Sequence, residues 1–248
     1  MRTFIAIDDT DNIHTKRGTG KLAAALAQMI EERGWGRGSL ITRHQLYVHP
    51  DVPYTSHNSS MCFVSELKEE YLGDLIELAG DFLAKESAEG SDPGLCVAVA
   101  GRIRKVEALV DYGRRAKVSV LTKAEAYGLA EELGVHLSEH GGTGQGVVGA
   151  LAGVALRLSG NDGRVRGKLQ VESEAGVATV REILRQARVS RVQSLDGRVL
   201  GNDELIRLGD RVKAVMLGGE PVLLVTPLAQ SAGGAKWQTL TKEQLRAF

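Results

Sequence analysis

Arg2-Thr3-Phe4-Ile5-Ala6-Ile7-Asp8-Asp9-Thr10-Asp11 is the stretch on which the reading of the fold turns. Thr3–Ile7 is short and rich in β-formers, which predicts a strand. It runs straight into three carboxylates within four residues. Loops at the ends of strands are where α/β folds place ligands. Three neighbouring carboxylates repel one another unless a cation or a basic side chain neutralises them. Mg²⁺ suits such a group, because it binds through one or two carboxylates plus water and phosphate oxygens. Asp8, Asp9 and Asp11 are therefore the candidate metal ligands. The competing reading is a polar turn in which Thr10 or Asp11 caps a helix.

Working outward, Arg17-Gly18-Thr19-Gly20-Lys21 precedes Leu22, Leu26, Met29 and Ile30, whose spacing predicts a helix over about 20–33. Glycines before a helix leave its N-terminal amides open to an anion. Arg17 and Lys21 add positive charge, and Thr19 adds a hydroxyl. Arg17, Gly18, Gly20 and Lys21 are candidate phosphate-binding residues. The segment is not a Walker A loop, since Thr15 stands where that motif needs glycine and Leu22 where it needs Ser or Thr.

A strand is expected over Leu40–Val48, then a loop over Pro50–Ser60 dense in donors and acceptors and stiffened by two prolines. His57 and Asn58 are its candidate nucleotide or phosphate contacts, and His57 is also the candidate catalytic group for proton transfer. A short strand follows at Met61–Val64, and a long amphipathic helix is marked by Leu72, Leu75, Ile76, Ala79, Phe82 and Leu83. Leu95–Ala100 reads as an apolar strand, and Val106, Leu109 and Val110 as a short helix. Thr122-Lys123-Ala124-Glu125 is a capping box that opens a helix reaching Leu133.

A second glycine run, Gly141–Gly146, leads into an apolar helix from Val147 to Leu158. Gly144 and Gly146 are candidate anion contacts, with close packing through Gly149, Ala150 and Ala152 as the competing reading. Gly-x-Gly-x-x-Gly at 144, 146 and 149 is a poor dinucleotide fingerprint, because Leu137-Ser138-Glu139-His140 before it is not an apolar strand. Past Gly160 the texture turns β-rich. Arg164–Glu172 alternates as a strand, Val177, Val180, Ile183 and Leu184 mark a helix, and Asp196-Gly197 and Gly218-Gly219 sit at hairpin turns. Thr241–Gln244 is expected to cap a last short helix. The expected organisation is an α/β (α+β) region over 1–162 and a smaller β-rich region over 163–248.

Composition bounds the function. The 248 residues carry 31 Lys+Arg against 31 Asp+Glu, so a generally basic, phosphate-neutralising surface is not expected, although a local basic face is left open. Aromatic residues are only 4%, which argues against stacking platforms for single-stranded nucleic acid. Cys62 and Cys96 are too few for a zinc ribbon and read as reduced core thiols. No apolar run is long enough to span a bilayer and no signal peptide is evident, so the expected compartment is the cytoplasm.

The ordered set Asp8-Asp9-Thr10-Asp11, Gly18-Thr19-Gly20, Pro53-Tyr54 with Asn58, and Gln145-Gly146-Val147-Val148-Gly149-Ala150-Leu151 resembles the N-terminal half of the archaeal tRNA-isoleucine agmatinylcytidine synthetase family. The resemblance covers about residues 1–160. It implies a kinase-like and ferredoxin-like core that uses ATP and Mg²⁺ to activate an RNA cytidine. It also implies that Asp8, Asp9 and Asp11 serve the metal and ATP, that Thr19 takes part in phosphoryl chemistry, and that Asn58 matches a loop asparagine. The chain departs from the family where Gln145 replaces an arginine, where His57 stands in for a basic residue, and where only two cysteines exist.

The expectation is an Mg²⁺-dependent, ATP-using enzyme whose substrate is an RNA or a small molecule. The C-terminal region would serve a partner protein or self-association, and there is no membrane role. Two alternatives are a non-catalytic nucleotide-binding regulatory module and a phosphatase of the haloacid dehalogenase type. Asp9-Thr10-Asp11 fits the second loosely, but no later strand ends in the acidic pair that chemistry requires.

Overall fold

The computed structural model of the chain describes every residue except 13, 16, 53–57 and 174, together with the side chains of 230–232. His57 and Pro53-Tyr54 lie outside the described residues. The chain divides into two compact units, Met1–Ser159 and Gly160–Phe248.

The first unit is built around β1 (Arg2–Asp8). Around it stand β2 (Gly36–Gly38), β3 (Thr42–Gln45), β4 (Ser59–Leu67), β5 (Gly94–Val99) and β6 (His136–Glu139). The strand order is β6-β5-β1-β4-β3, with β2 also on β4. The pairings of β1 with β4 and β5, of β4 with β2 and β3, and of β5 with β6 are all antiparallel. This is a mixed α+β unit. Sequence patterning does not reveal strand direction, so the antiparallel pairing emerges only here.

Alternation along β1 sorts its side chains between two helical layers, because successive strand residues point to opposite faces. Ile5 and Ile7 join a buried cluster with Leu22, Leu26 and Ile30 of α1 (Thr19–Glu32) and Leu75, Ala79 and Leu83 of α2 (Leu72–Glu86). Phe4 and Ala6 join the other cluster, which takes in α3 (Val106–Ala116), α4 (Lys123–Leu133) and α5 (Gly146–Ser159). The Thr122 capping box forms at the start of α4 as the sequence predicts. Helix α5 is buried almost throughout, which its unbroken apolar sequence requires.

Glycines let α5 lie close on the sheet. A Cβ on Gly153 would sit 2.3 Å from Ser60 Oγ, and one on Gly146 would sit 2.0 Å from the Asp92 carbonyl oxygen. The two cysteines are free and buried. Both pair with Ala6, one from each side. That sets them two strand spacings apart, roughly 10 Å, beyond the reach of a disulfide. Burial pushes the Cys62 thiol up to about 12, so it is inert at neutral pH.

The second unit contains β7 (Arg164–Val165), β8 (Val177–Thr179), α6 (Val180–Gln186), β9 (Arg191–Ser194), β10 (Leu205–Arg207), β11 (Ala214–Leu217), β12 (Glu220–Ala232) and β13 (Ala235–Thr239). Its strands run in the order β7-β11-β12-β13-β10-β8, with β9 parallel to β12. The β11–β12 hairpin turns on Gly218 and Gly219, both at positive φ. The strand expected over Arg164–Glu172 shrinks to two residues. Gly163 and Gly167 flank it at φ 110° and 93°, left-handed conformations that end regular pairing. The last helix is a 3₁₀ turn, Gln244–Ala247, whose start is held by reciprocal bonds between Thr241 and Gln244.

Candidate functional site

Asp8 is the last residue of β1 and follows Phe4 and Ala6 onto the α5 face. A Cβ on Gly149 would lie 1.6 Å from Asp8 Oδ2, so only glycine in the first turn of α5 leaves room for this carboxylate. Asp8 is 9% exposed. Burial pushes its carboxyl up to about 8; the charge of Asp9 acts in the same direction, the Asp9 backbone N–H opposes it, and Asp11 adds a further upward push.

Asp9 turns the chain at φ 49°, a left-handed conformation that Asp tolerates better than most side chains. Its carboxyl is pushed up to about 6, first by burial, then by the charges of Asp92 and Asp11, against a backbone N–H from Asp92. The loop beyond it lies along residues 88–92. Ala88 N–H donates to Thr10 O at 3.0 Å, and Asn12 Nδ2 donates to Glu89 O at 3.0 Å.

The other half of the site belongs to α1. Thr10 Oγ1 donates to Thr19 Oγ1 at 3.0 Å, and both residues are buried. Asp11 comes against the helix start: a Cβ on Gly18 would lie 2.9 Å from Asp11 Oδ2. Gly18 occupies the N-cap position without a side-chain cap. Negative charge is favoured at this end of a helix, where the peptide dipoles leave partial positive charge. Asp8 thus lies on the α5 side of the β1 terminus, Asp9 beside Asp92, and Thr10, Asp11, Gly18, Thr19 and Gly20 on the α1 side.

The remaining expected site residues make contacts of their own. Arg17 pairs with Glu86 at the end of α2. Lys21 is exposed, and its backbone N–H closes the first helical turn onto Gly18 O at 2.8 Å. Asn58 donates through Nδ2 to Tyr47 O at 2.6 Å, bracing the hairpin that follows β3. Gly144 packs on Glu139 and Lys123, not on the acidic loop.

Gly146 does lie at Asp8, yet its amide is spent on Asp92 O at 3.1 Å, and the amides of Val147 and Val148 bond to Gly144 O and Gln145 O. The glycine run therefore serves close backbone packing, and the anion-facing role expected of Gly144 and Gly146 does not follow from this geometry. The residue that sequence reading misses is Asp92. Its carboxylate accepts from Thr143 N–H and from Thr143 Oγ1, at 2.7 Å for the hydroxyl, and so ties the glycine run to the start of β5. The available signal is an acid next to Pro93-Gly94 at the mouth of an apolar strand. Only the antiparallel register, which sets Asp8 opposite Gly94, brings it beside Asp9.

Among the described residues, no three His, Cys, Asp or Glu side chains gather closely enough to hold a metal ion by themselves. No described helix is long and apolar enough to cross a membrane.

An antiparallel sheet between two helical layers, with an acidic strand end flanked by two helix starts, is a TiaS-like fold. The solved complex of TiaS with an isoleucine tRNA and ATP is similar at a TM-score of 0.55 and 24% identity, over 62% of this chain and 36% of that one. Apo TiaS, an isoleucine-tRNA agmatidine synthetase, is similar at 0.52 and 24%, over 62% and 35%. A tRNA fluorescent labeling enzyme is similar at 0.53 and 26%, over 62% and 36%. The chain thus spans about a third of the length of these proteins. No family model matches it, and no curated protein matches it in sequence.

Proposed function

We propose that this chain is an Mg²⁺-dependent enzyme that uses ATP to activate an oxygen of an RNA nucleoside for replacement. The observation that carries this reading is the β1 terminus: the carboxylate of Asp8 under α5, that of Asp9 next to it beside Asp92, and the glycine-flanked Thr19 at the start of α1. The support from likeness is the shared fold with TiaS, which has been solved with tRNA and ATP.

The donor set fits Mg²⁺. A buried and a half-buried carboxylate, whose proton affinities are raised by desolvation and by neighbouring acids (Asp9 and Asp11 on Asp8, Asp92 and Asp11 on Asp9), are stabilised by a divalent cation. Asp8 and Asp9 would hold the ion, with triphosphate and water oxygens completing its shell, as this ion prefers. When bound, it supplies neutralising charge to the phosphates. The start of α1 would take a phosphate through its backbone and dipole. Thr10 donates to Thr19 Oγ1 and so turns the Thr19 proton away from itself, which leaves that hydroxyl oriented as a donor or phosphoryl acceptor. Positioning and charge neutralisation are most of what phosphoryl transfer needs from a protein.

The test is ATP turnover by the full chain with Mg²⁺ in the presence and absence of bulk tRNA. The reading requires RNA-stimulated turnover that falls on the order of 100-fold in Asp9→Asn, the scale of losing one charge-stabilising group. ATP binding without turnover under any of these conditions would leave a nucleotide-binding module instead.

A further inference from the structure

We infer that the second unit carries an RNA-backbone-binding ribbon made by residues 164–169 and 207–213; this rests on the RNA reading of the proposed function. The formal neutrality of the chain conceals a division of charge. Residues 160–248 hold fourteen Lys and Arg against ten Asp and Glu, while residues 1–159 hold seventeen against twenty-one.

The excess is not scattered. Leu169 N–H donates to Val212 O at 2.9 Å, which lays the two segments side by side. Lys168 Nζ donates to Asp210 O at 3.2 Å and Lys213 Nζ to Gly167 O at 2.7 Å, so each ammonium is braced by the opposite segment. An ammonium has three donors, so its backbone bond does not exhaust Lys168. Arg166, Lys168, Arg207 and Arg211 are exposed, and Lys213 is half-buried. Asp210 is the one acid within the two segments.

Val165 and Val212 turn inward, and Leu169 and Leu208 pack on the core of the second unit. The outward face is therefore charged, with exposed Gly167 and Gly209 between the cations, where a phosphate backbone can approach closely. None of the large exposed apolar side chains lies on these segments, so the ribbon has no wedge for a lipid surface. A row of arginines and lysines without exposed apolar anchors matches a polyphosphate backbone, which such residues neutralise with counterion release. Because no aromatic side chain lies in either segment, binding would be to backbone and not to base identity.

The test is fluorescence anisotropy of labelled bulk tRNA with the full chain, from low to physiological KCl, with ATP binding measured in parallel. Four or five phosphate contacts predict an affinity loss of about 100- to 500-fold between roughly 50 and 200 mM. Arg166→Ala with Arg211→Ala should lower the salt slope by about 1.5, leave ATP binding and thermal stability unchanged, and be rescued by lysine at both positions. Equal tRNA affinity and slope in the alanine variant would overturn the ribbon while leaving the proposed function standing. Absence of tRNA binding by the wild type at low salt would overturn the ribbon and the RNA part of the proposed function, and ATP binding measured in parallel would then decide whether its ATP part stands. Ribbon-dependent binding to phosphatidylserine vesicles without tRNA binding would also overturn it.

Discussion

Asp8 ends β1 with its carboxylate against Gly149, and the cost of charging it there sets the pH behaviour of the ligand-free chain. Its folded pKa of about 8 lies above the ordinary Asp value, so the folded chain holds this proton more tightly than the unfolded one. The resulting stabilisation is full below about pH 4 and is lost as pH rises through about 8. Asp9 acts the same way, up to about 6. The melting temperature without metal is therefore expected to fall from about pH 5 to about pH 8. Asp8→Asn should flatten that slope and raise stability at about pH 8 by a few kcal/mol, on the order of what such a shift implies. Thermal melts across pH check this, and an unchanged slope in the variant would count against it. Gly149→Ala is the steric counterpart. Its methyl would overlap Asp8 Oδ2, so the variant should lose about 1–3 kcal/mol in urea unfolding and bind ATP less well.

Among the elements, the glycine positions make opposite predictions according to what surrounds them. A Cβ on Gly94 would lie 2.2 Å from the carbonyl carbon of Gly146, so Gly94→Ala must push α5 off β5 and should destabilise strongly. Gly128 lies inside α4 with nothing within 4 Å, so Gly128→Ala should stabilise by roughly 0.5–1 kcal/mol through helix propensity. Chemical denaturation of the two variants distinguishes packing from propensity. The same contrast explains what can be read from sequence. The helices at Leu22–Ile30 and Leu72–Leu83 follow from local periodicity, and the Thr122 box from four adjacent residues. β4 is longer than its pattern predicts, because Ser59, Ser60 and Ser65 break the apolar run, yet Ser60 and Ser65 are buried in the sheet. β6 leaves no sequence signal, because His136-Leu137-Ser138-Glu139 is a half-buried edge strand held by pairing with β5. Asp8, Asp9 and Thr19 are legible because adjacent carboxylates and glycines carry their chemistry in sequence. Asp92 is not, since its meeting with Asp9 depends on the pairing of two strands far apart in the chain.

At the scale of the whole molecule, the acidic first unit holds the proposed nucleotide site, and the basic second unit holds the proposed RNA ribbon. A chain ending at Ser159 is expected to keep ATP binding and to lose tRNA binding, as calorimetry and anisotropy would show. Loss of both, with a folded circular dichroism spectrum, would contradict that division. The central claim is that the end of β1 is where ATP and Mg²⁺ meet the protein. Isothermal titration of ATP into the full chain with Mg²⁺ tests it most directly. One molecule of ATP should bind per chain only when Mg²⁺ is present, and the heat should vanish in the doubly substituted Asp8→Asn, Asp9→Asn variant while that variant stays folded. Undiminished binding in the variant, or no binding by the wild type, would contradict the account.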